Sequence, residues 1–256
     1  METRVHLAHL GRAAGVVALG VAVSLITSTV VAARAYERRG QVASREERSI
    51  TVKGSVRRPI RADQAVWRVA VSGEARALAD AYAALEQATG QVRAFLTARG
   101  FADAQMGLSA IDTTTYYQRD AKGMETREVA GQRLSRVFTV STPEVDRVAQ
   151  AAGSVTELLR EGVSVSSYAP EYSFTRLGDL RIELMGEAAA DARQRAERIA
   201  QAAGSRITEV RSASMGVLQV TQPHSTEVSG YGMYDTATID KDVVAVVTLT
   251  LGLAAQ

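Results

Sequence analysis

Two rhythms run along the chain. Apolar residues recur at every second position in some stretches and at every third or fourth in others, and these periods separate strands from helices. Ile50, Val52 and Val56 mark a first strand. Ala65, Trp67, Val69 and Val71 alternate with Arg68, Ala70 and Ser72, which predicts a second strand with one apolar face. Leu78, Tyr82, Leu85, Val92 and Leu96, with Thr89 filling the gap, predict a helix over about residues 75–98 that ends at Gly100. Strands over about Gln105–Tyr117 and Arg133–Ser141 flank a polar tip, Gln118–Gly123, as a long hairpin.

Thr142 stands as the cap of a second helix, with Pro143 at its first position, where a missing N–H costs nothing. Val145, Val148, Ala152, Val155 and Leu159 form its stripe, and Gly162 ends it. A strand follows over about Val163–Thr175. Asp179 then caps a third helix in which Ile182, Met185, Ala189, Ala192, Ala196, Ile199 and Ala203 repeat, and Gly204 ends it. Strands over about Ile207–Val220 and Val243–Leu253 complete the chain, the last with Ala245, Val247, Leu249 and Leu251 on one face. The order ββαββαβαββ predicts an α+β fold: antiparallel sheet or sheets with three helices packed on them. The segments ARGFADAQMGLSAI and AAGSRITEVRSASMG suggest an internal duplication of a strand–helix unit.

Ahead of this region Ala13–Ala33 is predominantly apolar and carries no charge. As a helix it is about 31 Å long, close to the ~30 Å of a bilayer's hydrocarbon core. The expected organisation is an N-terminal flank (1–12), a transmembrane anchor (13–33), a linker (34–48) and a folded domain (49–256). Ala33-Arg34-Ala35 has the small-x-small form of a cleavage site, but the apolar run exceeds a signal's ~7–15 residues, so an uncleaved anchor is expected. Gly20, Ser24 and Ser28 share one face, a spacing that lets two membrane helices approach closely.

Charge changes the picture in two ways. Seven arginines against four glutamates give residues 1–48 a net +3; the whole chain is +2, which leaves −1 for residues 49–256. The basic excess therefore sits beside the anchor, where lipid phosphates lie. A near-neutral domain lacks the surface that nucleic acid requires, so nucleic-acid binding is not expected. The arginines on the C-terminal side of the anchor outnumber those before it, and the positive-inside rule read alone puts the large domain in the cytoplasm.

Candidate chemistry is sparse. Cysteine is absent, which excludes disulfides, thiolate metal sites and cysteine nucleophiles. His224 is the one histidine beyond the anchor and reads as a solvated loop residue. No phosphate-cradling, dinucleotide-binding or nucleophile-elbow motif is present, and no cofactor or metal is expected. Lys53, Lys122 and Lys241 adjoin no nucleophile pattern. Asp112, Glu171, and Asp240 and Asp242 around Lys241 leave a carboxylate-pair hydrolase as one alternative, though strand-end ion pairs explain each of them. Two loops carry contact-type residues: Thr221–Asp240, with Tyr231, Met233 and Tyr234, and the hairpin around Tyr116, Tyr117 and Met124.

The stretch AAADARQRAERIAQAAGSRITEVRSAS, residues 188–214, resembles the signature of the SIMPL-domain family, bacterial periplasmic proteins of largely unknown function. Ala188, Asp191, Ala192, Ala196, Ala200 and Gly204 carry the pattern, and the opening SITVKGSVRRPIRADQAVWRVAVSGEARALADAYAALE matches the family's first strands and helix. The resemblance spans about residues 49–253. This chain has Arg61-Ala62-Asp63-Gln64 where many relatives carry Pro-Asp, and it has a longer apolar N-terminus, as in an anchored branch. The resemblance implies a periplasmic domain, no catalytic residues and, from some relatives, large ring- or cage-like homo-oligomers.

The expectation is thus a non-enzymatic inner-membrane protein whose partners are itself and the surrounding lipid. Tyr116, Tyr117, Tyr231, Met233 and Tyr234 are its expected subunit contacts. A periplasmic ligand-binding module for a lipid or glycan is the other alternative.

Overall fold

The computed structural model describes residues 30–34, 48–227 and 229–255. Residues 30–34 are helical and exposed; the rest of the apolar run, with Gly20, Ser24 and Ser28, lies outside the described residues. Among the described residues no helix is long and apolar enough to cross a membrane.

The fold is α+β. In chain order the elements are β1 (Ser49–Arg61), β2 (Gln64–Ala75), α1 (Leu78–Ala98), β3 (Met106–Leu108), β4 (Asp112–Arg119), β5 (Glu125–Thr142), α2 (Val145–Ser154), β6 (Ser164–Ser167), β7 (Glu171–Ser173), α3 (Leu177–Ala202), β8 (Ser205–Met215), β9 (Gln219–Thr221), β10 (Met233–Tyr234) and β11 (Asp240–Ala255). A six-stranded sheet runs β3-β5-β2-β6, with β4 on β5 and β7 on β2. A five-stranded sheet runs β1-β11-β9-β10, with β8 on β11. The chain divides into two compact units, residues 55–189 with 215–247, and the described residues among 1–54, 190–214 and 248–256.

In the larger unit β2 pairs antiparallel with β5 from Ala65↔Thr142 to Ala75↔Gln132. Its apolar face, Ala65, Trp67, Val69 and Val71, is buried as the alternation requires. Helix α1 lies on this sheet through Ala81, Leu85, Ala88, Val92, Phe95 and Leu96. The first turn departs from expectation: Leu78 and Tyr82 are exposed, and Ala81 faces the sheet. Gly73 is the reason. A Cβ there would stand 2.2 Å from the Leu85 nitrogen and 2.6 Å from the Ala81 oxygen, so the helix backbone rests directly on β2, with room for alanine only.

In the smaller unit the Leu253 N–H donates to the Arg48 oxygen at 2.8 Å, and the Thr51 and Thr250 hydroxyls pair at 3.0 Å.

The predicted strands are broken more finely than the alternation suggests. The strand over 105–117 divides at residues 109–111 into β3 and β4. That over 163–175 divides into β6 and β7 near Pro170, which has no N–H to give a ladder. That over 207–220 divides at Gly216. Helix α2 begins at Val145 rather than Pro143 and has no side-chain cap, although Thr142 Oγ1 accepts the Glu144 N–H at 3.3 Å. Beyond Ser154 it tightens into a 3-10 turn, which buries Leu158 and turns Leu159 outward. In α3 the buried row is Leu184, Ala188, Ala192, Ala196 and Ala200, every fourth residue, while Ile182 and Ile199 are exposed. That row is the i±4 ridge of a helix, inclined to its axis, rather than the 3/4 stripe.

Candidate binding site between Thr221 and Asp240

The segment after β9 is held by side chains from the start of β11 and from β1. Lys241 shares the parity of Val243, Ala245, Val247, Leu249 and Leu251, so the alternation of β11 carries its side chain to the buried face; Lys241 is 1% exposed. Its Nζ donates to Asp235 Oδ2 at 3.0 Å and to the Thr238 carbonyl. Asp235 also accepts the Ala237 N–H at 3.0 Å and the Thr238 hydroxyl. Burial alone pushes the Asp235 carboxyl up; the Thr238 hydroxyl, the Lys241 ammonium and the Ala237 N–H more than offset it and hold the group below its ordinary range.

A second anchor stands one residue on. Asp242 Oδ2 accepts the Arg57 guanidinium at 2.9 Å and the His224 backbone N–H at 3.0 Å, and Arg57 also donates to the Ser225 carbonyl at 3.1 Å. Burial again acts upward, and the His224 N–H and Arg57 overcome it, so Asp242 too is held ionised. His224 is held at φ +63°, the left-handed region that a side chain adopts at some cost. Further along, Gln219 Nε2 donates to the Ser229 carbonyl at 2.7 Å, Tyr172 N–H to the Thr236 carbonyl at 2.7 Å, and Ala62 N–H to the Ile239 carbonyl at 2.9 Å. Met233 and Tyr234 form β10, parallel to β9.

These tethers frame a cavity of about 630 Å³ lined by residues 221–227 and 233–235. Thr221 is buried on its wall, and its Oγ1 has no hydrogen-bond partner among the described residues. Met233 and Tyr234, expected as subunit contacts, line this cavity. Tyr231 is wholly exposed, with Met215 and Val217 also exposed. Gly232, at φ +90°, sits so close to Val217 that a Cβ would meet its Cγ1 at 2.7 Å. Tyr116 and Tyr117 are exposed on β4, where the register against β5 shifts between them.

A second cleft of about 610 Å³ is lined by Arg61, Arg99 and Arg147 with Glu144 and Asp146. Arg61 bridges Asp146 (2.5 Å) and Asp240 (3.0 Å), and Arg147 pairs with Glu144. Glu171 pairs with Arg68 at 2.7 Å. Among the described residues no group of three or more histidine, aspartate or glutamate side chains could hold a metal ion. Neither Asp235 nor Asp242 has the raised carboxyl of a catalytic acid.

Sequence reading did not find the Lys241–Asp235 and Arg57–Asp242–His224 anchors. The first carried a signal, a lysine in the buried phase of an apolar strand. The second joins residues 185 apart and carried none.

No curated protein matches the chain. Among solved structures, the ligand-free regulatory subunit of aspartate kinase from Thermus thermophilus is 11% identical, with 78% of this chain and 88% of that chain covered and a TM-score of 0.21. An amidase of the hydantoinase/carbamoylase family from Burkholderia phymatum is 16% identical, with 48% of this chain and 30% of that chain covered and a TM-score of 0.22. An uncharacterized conserved protein from Listeria innocua is 9% identical, with 77% and 92% covered and a TM-score of 0.17. These likenesses are too slight to carry any argument. The family pattern of SIMPL, described as a protein of unknown function (DUF541), matches residues 50–251, so the segment that places Tyr231 and frames the cavity lies inside it, and the chain belongs to the SIMPL family.

Proposed function

We propose that this protein is a non-enzymatic component of the bacterial envelope. Residues 13–33 anchor it in the inner membrane, residues 49–256 stand in the periplasm, and it assembles with copies of itself into a ring- or cage-like homo-oligomer that serves as scaffold, compartment or stress-linked platform. Tyr231 carries the reading. Its side chain is fully exposed on a segment that is fixed from below by the Gln219–Ser229 and Asp242–His224 hydrogen bonds. Large aromatic side chains presented on a fixed frame are what contact surfaces use, since little side-chain freedom is lost on docking. Met215 and Val217 are further exposed apolar side chains, and Tyr116 and Tyr117 are exposed on β4. The small-residue face Gly20, Ser24 and Ser28 favours neighbouring anchors in the same assembly.

Mass photometry of the full chain in detergent tests this. The expected particle is several times the 27.3 kDa of one chain, and Tyr231→Ala shifts it to smaller mass. Monomers at micromolar concentration overturn the reading.

A further inference from the structure

The cavity framed by residues 221–227 and 233–235 has a character that selects among ligands. The nearby cations are engaged: Lys241 is buried against Asp235, and Arg57 is held by Asp242 and the Ser225 carbonyl. The Glu227 carboxylate on the lining has no ion-pair partner among the described residues. An anion therefore meets an unneutralised negative charge and no free cation. An apolar ligand fares little better, because most of the lining is hydroxyl, amide, carboxylate and imidazole. A neutral ligand rich in hydroxyl groups meets hydrogen-bonding side chains over most of the lining.

Three observations make this a built site rather than a surface dent. The Thr221 hydroxyl is buried on the wall with no partner among the described residues. His224 is held in a left-handed conformation, and its N–H donates to Asp242; backbone held against its preference recurs in functional segments. Its ring nitrogens make no hydrogen bond among the described residues. Tyr234 also lines the cavity, half exposed, with its hydroxyl 3.5 Å from the Phe174 carbonyl. A ring flanked by hydrogen-bonding groups offers an apolar face and polar rims together.

We propose that this cavity binds a neutral glycan, taking one or two sugar rings. The C–H face of a sugar lies on Tyr234, and its hydroxyls pair with Glu227, His224 and Thr221. The volume of about 630 Å³ is in the range of small-ligand sites. The site does not depend on assembly, since Tyr231 and the hairpin tyrosines lie outside its lining.

The test uses the full chain in a zwitterionic detergent without a sugar headgroup. Chitotetraose, maltotetraose, inorganic phosphate and spermidine are titrated by calorimetry. One or both oligosaccharides are expected to bind, and phosphate and spermidine are not. Tyr234→Ala and Glu227→Gln are each expected to weaken the saccharide by about tenfold or more. Thr221→Val, which keeps the shape of the wall, weakens it in the same direction, and Tyr231→Ala leaves it unchanged even where it alters particle mass. Thermal melting of each variant separates lost binding from lost folding. Failure of both saccharides to bind overturns the proposal. So does saccharide binding that survives all three lining substitutions in folded protein, and so does binding of phosphate or spermidine alone.

Discussion

At the scale of the residue, the most consequential pair is Lys241 and Asp235. A buried ion pair is a weak source of net stability, because desolvation cancels much of the attraction; losing one partner is costly, because the other charge is left alone. Asp235→Asn leaves the Lys241 ammonium buried without its counter-ion, and a loss of about 3–5 kcal/mol is expected in chemical denaturation. The same pair sets a pH dependence. The folded-state value of Asp235 lies below the ordinary 3.8, so its contribution is fully present above about that pH and is lost as pH falls through the lower folded value. Asp242 shifts in the same direction, so both anchors release together in acid. Protease cleavage within residues 221–240 is expected to be slow from neutrality down to the ordinary aspartate value and to accelerate below it. Cleavage that is equally fast at neutral pH and in acid contradicts this role.

At the scale of the element, Gly73 decides how α1 sits. Gly73→Ala drives a Cβ into the backbone at Leu85 and Ala81, none of it a flexible side-chain end. Overpacking of this kind costs about 1–3 kcal/mol. Gly90, in the same helix, has open space where its Cβ would be, and Gly90→Ala is expected to stabilise by up to about 1 kcal/mol. Thermal melting of the two variants should move in opposite directions; two shifts of the same sign would show that α1 is not seated on Gly73. This contact also marks where the sequence stops being legible. Gly100, Gly162 and Gly204 were readable as helix ends because a left-handed residue is a local demand, and all three have positive φ. The faces of β2 and β11 were readable because period two needs no knowledge of the partner. The first turn of α1 was not, because choosing Ala81 over Tyr82 depends on a glycine in another element. The row of α3 was misread for the same kind of reason: both Ile182 and Ala188 fit a helical repeat, and only tertiary packing selects the alanines. The tyrosines of the candidate site were legible as unusual residues in a long loop. Their separation into an exposed Tyr231 and a cavity-lining Tyr234 rests on tertiary tethers, some local (Gln219 to Ser229, Lys241 to Asp235) and some long-range (Arg57 to Asp242), that no period in the sequence reveals.

At the scale of the whole molecule, the proposed anchor has a testable consequence, the side of the bilayer on which the domain would stand. Arginines flanking the apolar run argue for the cytoplasm, and they are the residues that the positive-inside rule counts. The resemblance of residues 188–214 to periplasmic proteins raises the opposite expectation. The two arguments differ in kind. The charge rule is an energetic bias of individual side chains, and it weakens where a long domain follows the segment. Residues 49–256 are such a domain, with a net charge near zero that offers little resistance to translocation in either sense. The absence of cysteine makes the question directly measurable, because a single introduced thiol is the only one in the chain. Lys122→Cys places it at the exposed turn between β4 and β5, clear of the cavity lining. In intact spheroplasts a membrane-impermeant maleimide is expected to label this variant without lysis, whereas His9→Cys, on the other side of the apolar run, is expected to label only after lysis. The reverse pattern puts the domain in the cytoplasm and removes the envelope setting on which the assembly proposal depends; labelling of both variants without lysis means that residues 13–33 do not separate them across a bilayer.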